Sequence, residues 1–114
     1  MRVVRLNIAL PPNIVGGIAK SVSAEIWDAS LADAPAVLLS NNLLQDVVLI
    51  PNGNLETGLK VPSTSAKQIL IARVHISMDG SGQIKHGDLL TTSFVEIPLK
   101  LEKDRLTVPV VLIN

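Results

Sequence analysis

The stretch "QILIARVHISMDGSGQIKHGDLLTTSFVEIPLKL", residues 68–101, decides the fold class. Leu70, Ala72, Val74, Ile76 and Met78 fall on one side of a two-residue period, and Ile69, Ile71, Arg73, His75 and Ser77 on the other. Successive side chains of a strand point to opposite faces, so this is a strand with one face toward a core. "DGSG" at 79–82 is hairpin-turn chemistry, and "QIKHGDLL" reads as a short returning element in which Gly87 allows a bend or bulge. Val95, Ile97, Leu99 and Leu101 then alternate against Phe94, Glu96 and Lys100.

The same period extends outward in both directions. Val4, Leu6, Ile8 and Leu10 share a face, and "PPN" stops that strand because proline cannot donate to a ladder. Val22, Ala24 and Ile26 oppose Ser21, Ser23, Glu25 and Trp27. "AVLLS" and "NLLQDVVLI" read as two further strands, "PNGN" at 51–54 as a turn, and "LETGLKV" as a short strand. "EKDR" turns the chain into "LTVPVVLIN", where Leu106, Val108, Val110 and Leu112 form a row. No window of a dozen residues carries a 3.6-residue period with caps, although residues 61–68 have room for one helical turn. The expectation is an all-β chain of 114 residues: one small antiparallel β-sandwich or open barrel of about seven to nine strands. "VPVVLIN" is apolar on both faces. It is expected to pack on the sandwich or to pair with a second copy, giving a homodimer through 106–113.

Composition narrows the function. Ten basic and ten acidic residues cancel, with no basic run and only Trp27 and Phe94 as aromatics, so a nucleic-acid footprint is absent. There is no cysteine, hence no disulfide, thiol nucleophile or cysteine-based metal site. No stretch approaches the ~18 apolar residues of a membrane span. His75 reads as a surface or cross-strand histidine and His86, in "KHGD", as a solvated turn residue; neither joins a nucleophile elbow. Asp28, Asp33 and Asp79 lie in polar turns, without the environment that splits two carboxyl pKa values and without the spacing of a calcium loop. Neither an enzyme nor a cofactor or metal site is expected; calcium on Asp28, Ser30 and Asp33, or a small ligand between the sheets, is a lesser alternative.

"DASLADAPA" at 28–36 has a structural explanation. Asp28 and Ser30 bond backbone two residues on, Leu31 is placed to plug the core, and Pro35 pushes Ala34 to an extended conformation that relaunches the next strand. Trp27 and Phe94 fall on the less apolar faces of their strands. Either a bulge or an edge turns them inward, or they mark a contact surface.

"ALPPN", "DASLADAPAVLL", "LKVP" at 59–62, "ILIARVHI", "DGSGQI" and "GDLLTT" together resemble the small lipoprotein family of the YscW and YbaY type, whose domain carries an "aLPP" start and a "DvSraDAPa" loop. The likeness spans about residues 6–99, leaving 100–114 as a C-terminal extension. The matching loop residues are Asp28, Ser30, Leu31, Asp33, Ala34, Pro35 and Ala36. The resemblance implies a β-sandwich usually tethered to the outer membrane by lipid. Some of its members are pilotins, chaperone-like proteins that help a type III secretion secretin assemble. It implies a protein partner in the envelope and no catalytic residues. The chain has no lipobox cysteine. With Met1 as the native start a cytoplasmic location is expected; with a leader or lipobox segment removed, a periplasmic or outer-membrane one. Self-association is the other non-enzymatic reading.

Overall fold

The alternation predicted for 70–78 is realised as an eight-residue strand whose even-numbered side chains are buried; of the others, Ile71, Arg73 and His75 reach the outer surface, while Ser77 is buried as well. The computed structural model describes residues 2–30, 33–62, 68–92, 95–98 and 105–113. Within them the order is β1 (Arg2–Ala9), β2 (Gly17–Asp28), β3 (Val37–Leu49), β4 (Asn54–Val61), β5 (Leu70–Ser77), β6 (Leu89–Leu90), β7 (Val95–Ile97), β8 (Arg105–Pro109) and β9 (Val111–Leu112). They form two sheets, one ordered β4-β1-β8 and the other β3-β2-β5-β6-β9, with β7 also pairing β5. The sheets face each other as an all-β sandwich that does not close into a barrel.

The core lies between the sheets. Val4, Leu6 and Ile8 of β1 face inward from the small sheet; Val22, Ala24 and Ile26 of β2 and Leu70, Val74 and Ile76 of β5 face them from the large one. Each large aliphatic buried this way contributes about 1.5–3 kcal/mol. The connection between β3 and β4 turns at Asn52, whose φ is +61°. A Cβ at Gly53 would meet the Ile50 carbonyl oxygen at 2.8 Å, so the tight turn demands glycine.

Three expectations change. "AVLLS" and "NLLQDVVLI" are one continuous 13-residue strand. A bulge, with Leu39 unpaired between Ser40↔Ile26 and Leu38↔Trp27, carries β3 through what reads in sequence as a break. Next, the pairing is not wholly antiparallel, because β8 runs parallel to β1 (Leu6↔Leu106, Ile8↔Val108). Finally, the C-terminal stretch is woven into both sheets. Val110 N–H bonds the Ala9 carbonyl at 3.2 Å, β9 then pairs β6 in the other sheet, and Val108 and Val110 are buried. Its two apolar faces follow from that crossing. Pro109 sits on β8, at the margin of the small sheet, where a missing donor costs least. The helical turn expected within 61–68, most of "EKDR", Leu31 and Phe94 fall on or across positions outside the described residues.

Candidate binding groove on the outer face of the larger sheet

The outward residues of β2 are small at its centre. Ser21 and Ser23 pair across the sheet with Ser77 and His75 on one side and with Gln45 and Leu43 on the other. Small residues on a central strand with larger ones beside them make a trough. The resulting groove of about 300 Å³ has Ser21, Ser23, Glu25 and His75 on its floor and Leu43 and Ile84 on its walls. Leu43 and Ile84 are each 57% exposed, so the rims are apolar and open to solvent. Beyond Glu25 the same face continues in a row of Leu38, Trp27, Ile71 and Glu96 across four strands.

Trp27 stands at the bulge, half-buried, with its indole N–H donating to Glu25 Oε1 at 3.3 Å. It stays on the outer face of the sheet, opposite Ile71. Phe94, its expected companion, lies outside the described residues.

The "DASLADAPA" loop divides in two. Asp28 Oδ1 accepts from both the backbone N–H and the hydroxyl of Ser30. Ser30 Oγ in turn accepts from Ile69 N–H at 2.9 Å, and Gln68 donates to Asp28 Oδ2. The bonds from the Ser30 hydroxyl and amide, with a smaller one from Gln68, hold the Asp28 carboxyl below its ordinary pKa against a modest opposing effect of desolvation. Asp33, Ala34, Pro35 and Ala36 are instead exposed, and the exposure continues into Val37 and Leu38 at the start of β3.

Asp88 escaped the sequence reading. It is 2% exposed, yet charged by type. Its Oδ1 accepts from Met78 N–H at 3.0 Å, and its Oδ2 from Lys85 N–H and His75 Nε2, both at 3.0 Å. Burial pushes its pKa up, and the bonds from Met78, His75 and Lys85 outweigh that, leaving it below the ordinary carboxyl value. A buried charge needs such partners. The only sequence signal was an acid set directly against the apolar pair Leu89–Leu90; nothing ties it to a histidine 13 positions earlier. His75 is a cross-strand residue, and the hydrogen bond from its ring goes to Asp88 rather than to a serine. His86 is exposed in its turn. Asp79 accepts from Ser81 N–H and Lys85 Nζ, and the Lys85 ammonium pulls its carboxyl far below the usual range.

Chemically, the face can hold a chain with both polar and aliphatic groups. Among the described residues no three His, Asp or Glu side chains converge as a metal site, and no helix is long and apolar enough to cross a membrane. A second apolar surface, not anticipated from sequence, lies at the β2–β3 corner. Ile18 and Val48 pair there with both side chains exposed, beside the exposed Val15 and Ile50. They occupy positions where the sequence period would admit polar residues, which was the available sign.

No family model and no curated protein matches the chain. Among solved structures it is similar to an alternative pilotin from the type II secretion system of Vibrio cholerae, with a TM-score of 0.69, 21% identity, and coverage of 98% of this chain and 95% of that one. At that identity the likeness is one of fold: a pilotin-like β-sandwich.

Proposed function

We propose that the chain is a non-enzymatic protein-binding or assembly module of the pilotin-like kind, holding an envelope protein of the secretin class on the outer face of the larger sheet. The observation that carries this reading is the likeness to a secretion-system pilotin over nearly the whole of both chains. The groove supports it: an apolar-rimmed trough ending at a half-buried tryptophan has the composition of a protein-contact surface, where aromatic anchors dominate binding energy. Trp27 is the first anchor and Phe94 the proposed second. The motif pieces from "ALPPN" to "GDLLTT" favour the YscW and YbaY lipoprotein type within this reading, with the 28–36 loop in a structural role.

The test is a pull-down from envelope extracts with the full chain and with Trp27→Ala. Enrichment of a secretin by the full chain, reduced at least tenfold by Trp27→Ala at unchanged thermal stability, supports the reading. Equal recovery by both moves the contact off this face, and recovery of the bait alone removes the partner.

Self-association is a second reading, favoured by the exposed Val15, Ile18, Val48 and Ile50 and by β8 (residues 106–109 of the expected dimer surface) at the margin of its sheet. Sedimentation of the full chain at high concentration tests it; a monomer throughout discards it.

A further inference from the structure

The connection between β5 and β6 is longer than a tight hairpin needs, and Gly82 and Ile84 of that connection wall the groove. Gly80, Gly82 and Gly87 all have positive φ, between 76° and 90°, which lets a short segment fold over the sheet without a ladder. Among the described residues, the hydrogen bonds of 79–86 run within the segment, to Ser77, or to Asp88. Its base is fixed, since Gly87 N–H bonds the Ile113 carbonyl and Ile113 N–H bonds that of Asp88. Its two arms are joined near the base through Lys85, which gives its backbone N–H to Asp88 and its ammonium to Asp79. A segment with a fixed base, a tip joined to few partners and an exposed isoleucine over a groove belongs to the low-stability end of a structure.

We propose that residues 79–87 are a strap that opens and closes over the groove, with Asp88 as its clasp. Asp88 joins the strap to β5: its Oδ2 accepts from Lys85 N–H on the strap and from the His75 ring on β5, and its Oδ1 accepts from Met78 N–H at the end of β5. Lys85 and Asp79 on the strap are paired with each other. Lys20 packs against Gly80, and His86 is exposed on the strap itself. The regulatory meaning rests on the groove being the contact surface; the strap motion does not, and is measured without any partner.

The chain has no cysteine, so a single introduced thiol reports on one place. Ser23→Cys puts it on the groove floor, and Thr107→Cys puts a control on the exposed face of the small sheet. With a maleimide reagent, Ser23→Cys is expected to react at least tenfold more slowly than the control. Adding Asp88→Asn, or the milder Ile84→Ala, brings the two within about threefold. Amide exchange at Lys85, which donates to Asp88, is expected to speed up at least tenfold in Asp88→Asn at constant pH. A groove thiol as reactive as the control, or shielding unchanged by both Asp88→Asn and Ile84→Ala, overturns the strap. Equal protection of the Lys85 amide in wild type and Asp88→Asn overturns the role of Asp88 as the clasp.

Discussion

The two faces of β2 are made of the same twelve residues and do opposite things. Inward, Val22, Ala24 and Ile26 are fully buried against the small sheet. Outward, Ser21, Ser23, Glu25 and Trp27 are half-buried, the first three in a groove between the exposed Leu43 and Ile84. The inner face is held by area removed from water and tolerates no polarity; the outer face spends little on stability and is free to carry recognition. The same contrast recurs within residues 28–36, where Ser30 is tied to Ile69 and Asp28 to Ser30 and Gln68 while Asp33–Ala36 stand in solvent.

That contrast can be broken by substitution. The largest effect belongs inside: Ile26→Ala leaves a cavity and is expected to cost about 2–5 kcal/mol, read from denaturant midpoints at constant m. Removing the Asp88 carboxylate comes next. Asp88→Asn leaves buried donors short of an acceptor, for a loss of about 1–3 kcal/mol concentrated in 78–88 and visible as amide exchange there. Acid reaches the same clasp. The folded pKa of Asp88 lies below its unfolded value, so its contribution is complete above the ordinary carboxyl range near about 3.9 and disappears as pH falls below it through the folded value. A melting series from pH 5 to pH 2 is expected to fall steeply in wild type and to flatten in Asp88→Asn. The smallest effect belongs outside: Leu43→Ala changes stability by less than about 0.5 kcal/mol while weakening a partner bound on that face. A Leu43→Ala loss approaching that of Ile26→Ala erases the distinction between the faces.

The C-terminus sharpens it further. Deleting 105–114 removes Val108 and Val110 from the core and strips a strand from each sheet, and an unfolded circular-dichroism spectrum is the expected outcome. Such a deletion therefore says nothing about dimerisation, for which the exposed Ile18 and Val48 are the better positions to alter.

Period-two alternation determined the class of fold and most of the core by itself. In a strand, side chains point alternately to two sides, so Val4, Leu6, Ile8, Val22, Ala24, Ile26, Leu70, Ala72, Val74 and Ile76 could be assigned inward before any coordinates. Local chemistry likewise placed the turn at 51–54 and the Asp28–Ser30 bonds. The hairpin expected at "DGSG" is instead a long connection that returns to the sheet only at Leu89–Leu90, because residues 79–86 bond among themselves, to Ser77 and to Asp88 instead of to a ladder. The groove was only half legible. Trp27 was singled out from its face, but Ser21 and Ser23 form a trough only because Leu43 and Ile84 arrive beside them from strands and loops 20 to 60 positions away. Tertiary structure alone decided the parallel β1–β8 pairing, the passage of the C-terminus between sheets, and the meeting of His75 with Asp88. Those are pairings at a distance, set by the register between strands and by a buried carboxylate's need for donors, and neither leaves a periodic mark in the chain.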